Sequence, residues 1–243
     1  MILDDLALPG GPVDDALLGP LLLSQGMGGA QEIVRVHRPE PTAAFSRRDS
    51  RRPGFDRAAD SCSAAGFVPI IRPQGGKLAA YHRGSVVIDH VVRVADPTSG
   101  LKVRFERFAR LHADVLTGFG LDARIGELPG EYCPGEFSIN VAGTTKIVGS
   151  AQRITRDGWL FSTIIQVSDS VSIRDVLTAA YADIGYDLDP ATIGSMEDQC
   201  PGVTAQQVQA ALIEAYSADV GAGRGPLSVQ ILDELASLRS AGR

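Results

Sequence analysis

Nothing in this chain approaches the roughly 18 consecutive apolar residues of a membrane-spanning helix, so the sequence calls for no membrane. The first residues, Met1-Ile2-Leu3-Asp4-Asp5, are acidic and lack the basic stretch and apolar core of a secretory signal, which predicts a cytoplasmic protein. Cysteine is scarce. Cys62, Cys133 and Cys200 are odd in number and have no metal-ligand spacing, so neither a disulfide framework nor a metal site is expected, and a reduced compartment is. Positive charge is in deficit, with 23 Lys and Arg against 29 Asp and Glu and a formal net charge of -6, which argues against nucleic acid as the main partner. No internal repeat or low-complexity segment occurs.

What the chain does have is an ordinary globular composition, 44% hydrophobic and 21% charged over 243 residues, enough for a substantial core. The acidic balance reverses locally. From Arg35 to Arg57 seven arginines face Glu40, Asp49 and Asp56, and such a cluster suits an acidic protein partner.

Apolar periodicity predicts helices at about 13–24, 56–65, 101–117, 172–184, 204–218 and 227–240. Strands are predicted at about 33–37, 67–71, 78–81, 85–94, 121–125, 138–141, 146–154 and 159–167. Residues 38–54, rich in proline and arginine, read as a long loop. Strand clusters interleaved with helices, rather than strict alternation, imply an α+β fold with a mixed or antiparallel sheet flanked by helices. The expected organisation is a loose N-terminus over 1–12, a catalytic domain over 13–220 and a C-terminal helix within 221–243.

Residues 130–153 carry the chemistry. Tyr132-Cys133-Pro134-Gly135 places a thiol in a turn, a predicted strand and the Gly143-Thr144-Thr145 turn follow, and Lys146 opens a Lys-x-x-Gly-Ser-Ala segment. A free thiol with a pKa of about 8.5 is only a few per cent thiolate at pH 7, so a nucleophilic cysteine needs a nearby cation. Lys146, on an adjacent strand, is the expected one. Upstream, Arg72-Pro73-Gln74-Gly75-Gly76-Lys77 follows a buried strand, where glycines let a ligand chain pass close to backbone N–H groups. Gly149, Ser150 and Ala151 leave room for an apolar chain, whose burial is worth roughly 0.8 kcal/mol per methylene. Each of these features also has a structural reading, as a turn or as close strand packing.

Together the two blocks resemble the cysteine-type branch of the biotin and lipoate protein ligase superfamily (lipoate-protein ligase A-like), within it the octanoyltransferases. The second block is similar to that family's Arg-x-Ser-Gly-Gly-x-Ala loop, with Gln74 standing in place of Ser, and the resemblance extends over about 14–220. It implies transfer of an octanoyl or lipoyl group through a Cys133 thioester assisted by Lys146, in lipoate metabolism. Arg72, Gly75, Gly76, Lys77, Gly149, Ser150 and Ala151 would line the substrate pocket. The implied partners are an octanoylated glycine cleavage H protein or acyl carrier protein as donor and the lipoyl domains of 2-oxoacid dehydrogenase E2 subunits as acceptors, with no cofactor or metal. The alternatives are an ATP- and Mg²⁺-dependent lipoate-protein ligase and a non-catalytic acyl- or carrier-binding protein. Cys62 and Cys200 match no motif, and His82, Asp89 and His90 receive no role, the last two facing opposite sides of a strand.

Overall fold

The computed structural model describes residues 1–4 and 7–241. In chain order its strands are β1 (Ile2–Asp4), β2 (Glu32–His37), β3 (Thr42–Phe45), β4 (Val68–Ile71), β5 (Ala79–Tyr81), β6 (Ser85–Arg93), β7 (Ala123–Ile125), β8 (Ile139–Val141), β9 (Thr145–Thr155) and β10 (Gly158–Gln166). The helices are α1 (Pro12–Gln25), α2 (Phe55–Ala64), α3 (Leu101–Gly118), α4 (Ser170–Ile184), α5 (Ala205–Val220) and α6 (Val229–Ser240). Seven strands form one sheet in the order β1-β2-β6-β10-β9-β8-β7, and a smaller sheet runs β4-β3-β5. The pairs β1/β2 and β3/β4 are parallel, and the remaining pairs are antiparallel. The fold is therefore α+β with a mixed sheet and flanking helices, as the element order predicts.

Strand periodicity divides the core. On β10, Trp159, Phe161 and Ile165 point into one apolar cluster with Phe108 of α3 and Leu212 of α5, while Leu160 and Ile164 point to the opposite face. Leu160 meets α1 and α6, where Gly19 permits close approach, since a Cβ there would lie 2.7 Å from the Leu160 side chain. Ile164 meets the layer built from the small sheet, α2 and α4. Each fully buried Leu, Ile or Phe contributes roughly 1.5–3 kcal/mol. Helix starts are fixed locally: Thr204 and Gln207 form a reciprocal capping box on α5, and Asp169 caps α4.

Two expectations fail. The N-terminal segment over 1–12 is not loose throughout: Ile2 and Leu3 are buried in β1, which pairs with β2, and α1 already begins at Pro12. Among residues 38–54, read as loop, Thr-Ala-Ala-Phe forms β3, with all four residues buried between β4 and β5. A four-residue strand buried on both faces shows no alternation to read.

Candidate active site

Cys133 and the Gly loop come together because β8 and β9 bring Lys146 beneath the Tyr132-Cys133 turn, while β5 holds Leu78 beside α4. Cys133 adopts φ +42, a left-handed conformation that few non-glycine residues take. Three interactions hold it there. Its N–H donates to Tyr181 Oη at 2.9 Å, and that hydroxyl donates to Leu78 O at 2.8 Å. Its carbonyl accepts from Lys146 Nζ at 2.9 Å. Its Sγ accepts from the Lys77 N–H at 3.2 Å and lies 3.8 Å from Arg72 Nη2. A strained residue fixed from several sides is characteristic of functional turns.

The hydrogen bonds of Lys146 bear on the role expected of it: they go to oxygens, and none goes to the sulfur. Lys146 is 1% exposed and gives its three hydrogens to Glu131 Oε1, Tyr132 O and Cys133 O, each at 2.9 Å. Glu131, 0% exposed at its side chain, also accepts from the Leu128 N–H and from Ser138 Oγ. The cation beside the thiol is Arg72, whose Nη2 also donates to Lys77 O at 2.7 Å. An N–H and a guanidinium thus converge on one sulfur.

Two clefts meet at Cys133, sharing Gly75, Gly76, Pro134 and Gln152 in their walls. One, of about 500 Å³, is lined by Leu101 and Phe105 of α3 together with Phe137, Ser150 and Ala151. Phe105 stacks on Phe137 at 5.7 Å between centroids, and the Lys102–Glu136 ion pair lies beside them. The other, of about 540 Å³, is bordered by Arg47, Arg48, Lys77 and Arg153. Gly76 is required at their junction, because it holds φ +97 and a Cβ on it would lie 2.7 Å from Cys133 Sγ.

Of the sequence-derived site residues, Gly75, Gly76 and Lys77 border the clefts with Cys133, and Ser150 and Ala151 line the apolar one. Gly149 instead faces the Lys146 stem, where a Cβ would lie 3.3 Å from Cε. Gln74 anchors the Gly loop from behind: its Nε2 donates to Ser162 Oγ at 2.5 Å, and Ser162 donates to Asp89. His82 is a turn residue, its Nδ1 accepting from the Gly84 N–H, and His90 is buried among Phe108, Trp159 and Tyr216. Burial pushes the Cys62 thiol up to about 12, aided by the charge of Asp183, so it is inert at neutral pH. Sequence reasoning missed Glu131, although it lies within residues 130–153 and directly precedes Tyr132, and Tyr181, which lies 48 residues from Cys133 with no local signal. Among the described residues no cluster of three His, Cys, Asp or Glu is placed to hold a metal ion, and no helix is long and apolar enough to cross a membrane.

The family model described as the lipoyl protein ligase A/B catalytic domain matches residues 21–217. An Octanoyl-[GcvH]:protein N-octanoyltransferase of Geobacillus kaustophilus is 26% identical over 173 residues, 71% of this chain and 59% of the relative. A protein of the same name from Exiguobacterium sibiricum is 30% identical over 136 residues, 55% of this chain and 48% of the relative. The chain thus spans about half the length of these relatives. In fold it is similar to lipoate-protein ligase A bound with ATP, with a TM-score of 0.74 and 20% identity over 97% of this chain and 92% of that one. It is also similar to the bi-partite lipoate protein ligase of Thermoplasma acidophilum, described with its E2 lipoyl domain, with a TM-score of 0.70 and 17% identity over 97% of this chain and 89% of that one.

Proposed function

The chain belongs to the lipoyl protein ligase A/B catalytic-domain family, and from that premise we propose that it moves an octanoyl or lipoyl group between carrier-protein lysines through a thioester on Cys133. The observation that carries this reading is the position of Cys133 Sγ, where an apolar cleft and a basic cleft meet and where the Lys77 N–H and Arg72 point at the sulfur. The apolar cleft takes the eight-carbon tail, and each methylene buried contributes roughly 0.8 kcal/mol.

In the first half-reaction Sγ attacks the carbonyl of the acylated donor, the C–S bond forms and the bond to the donor's nitrogen breaks. The proton lost by the thiol ends on the departing lysine amine. In the second, the amine of an acceptor lysine attacks the thioester, and the thiol recovers its proton as the new amide forms. Lys146 holds the turn that presents Cys133, through its bonds to both adjacent carbonyls. The donor in this reading is an octanoylated carrier protein, the glycine cleavage H protein by the relatives' names; with an acyl carrier protein as donor, the bond broken is that to its thioester sulfur and the proton ends on the departing thiol. The acceptors are lipoyl domains of 2-oxoacid dehydrogenase E2 subunits.

In the ATP-dependent ligase alternative the lysine at the position of Lys146 would contact the acyl carbonyl and phosphate. Lys146 does not fit that use, because all three of its hydrogens are directed at protein oxygens. Against a non-catalytic binding protein stands the strained turn, which a mere pocket does not need. The test is transfer from octanoylated H protein to a lipoyl domain in the presence of a Mg²⁺ chelator and without ATP. Undiminished transfer is expected, and a strict requirement for ATP would replace this reading with the ligase.

A further inference from the structure

The arginine-rich segment does not act as one patch. Arg35 is buried against Asp15 at 2.7 Å, Arg52 donates to the carbonyls of Ile184 and Gly185 and lies over the Tyr186 ring, and Arg57 faces Asp183. Arg38 lines a separate small pocket with Arg35 and Glu40, and Arg51 borders neither cleft at Cys133, which leaves Arg47 and Arg48. Both are exposed, and neither guanidinium has an ion-pair or hydrogen-bond partner among the described residues. They stand at the border of the cleft that reaches Cys133, with Lys77 and Arg153 deeper in, and among the described residues no acidic one borders that cleft. The neighbouring Asp49 is buried and bonded to the Ser46 N–H and the Tyr186 hydroxyl. The result is four cations around one mouth in a chain whose net charge is -6.

We propose that Arg47 and Arg48 dock the acidic face of a carrier-protein domain, and that donor and acceptor carriers occupy this one rim in turn. The proposal rests on the transferase reading above. A protein occupant is favoured over a small anion because the two arginines are exposed at the rim rather than enclosed. With one thiol and one basic mouth, a carrier that has delivered its acyl group must leave before the acceptor can enter. Opposite charge at such a rim speeds encounter, and its effect falls with salt because exposed charges are screened over about 8 Å at physiological ionic strength.

The test compares three octanoyl donors on the full chain and on the Arg47→Glu, Arg48→Glu double variant, reading Cys133 acylation by intact mass. The donors are octanoylated H protein chosen for its acidic surface, octanoyl-coenzyme A, and the uncharged N-acetylcysteamine thioester. The double variant should acylate at least ten-fold more slowly from H protein and within about two-fold of the parent rate from both small thioesters. In the parent, salt should slow only the H-protein reaction, and deacylated H protein should compete with the acceptor domain. Loss with coenzyme A but not with N-acetylcysteamine would overturn the proposal in favour of a phosphate subsite. Equal loss with all three would make the arginines supports of the cleft, and no loss would make them solvated surface. Failure of the parent to form a thioester from any donor would instead refute the transferase reading itself.

Discussion

A buried ammonium and a buried carboxylate 2.9 Å apart hold the turn that carries Cys133. Removing one partner of such a pair leaves the other charged, desolvated and unpaired, which costs about 3–5 kcal/mol. In a domain of this size that corresponds to a fall in Tm of roughly 6–20 °C. Lys146→Ala should therefore lose stability and activity together, measured by thermal melts beside acylation rates. Arg72→Gln should slow acylation of Cys133 at least ten-fold with a much smaller Tm change. A Lys146→Ala protein with parental Tm and no activity would return Lys146 to a chemical role. The cysteine, the lysine and the Gly loop were all legible in the sequence as neighbours. Which cation faces the sulfur was not, because that depends on Glu131 claiming Lys146, and a carboxylate beside a motif carries no sign of where its charge will be directed.

α3 and α5 meet through His112 Nε2 and the Tyr216 hydroxyl at 2.9 Å, both residues fully buried. Burial pushes the His112 pKa down to about 3, with the nearby His90 contributing further. In the unfolded chain the same imidazole binds a proton below about 6.5. The unfolded state thus holds more protons between these values, so stability is complete above pH 6.5 and is lost progressively as pH falls toward 3. His112→Gln should flatten the decline in Tm between pH 7 and pH 5, a window above the ordinary carboxylate range, and an unchanged slope would show that this helix contact does not sense acid. The helices themselves were readable from apolar periodicity to within a few residues. β1 and β3 were not, since strands of three or four residues give no period, and their pairing partners lie tens of residues away.

At the scale of the whole molecule, the large sheet serves as a wall between a helical core and the layer that presents the Gly loop, and both clefts open along β9, whose residues 150–153 contribute to their walls. The α+β class, and the order of elements apart from β1 and β3, followed from pattern alone. The separation of an apolar cleft from a basic one, with a single sulfur at their junction, did not, because Leu101, Phe137, Ser150 and Arg47 belong to four separate stretches of chain. That junction is the basis of the transferase account, and intact-mass analysis after mixing the protein with octanoylated carrier tests it most directly. The account predicts one added octanoyl group, released by hydroxylamine, absent in Cys133→Ala and discharged when a lipoyl domain is added. Full protein-to-protein transfer by Cys133→Ala, with no acylated enzyme at any time, would contradict it.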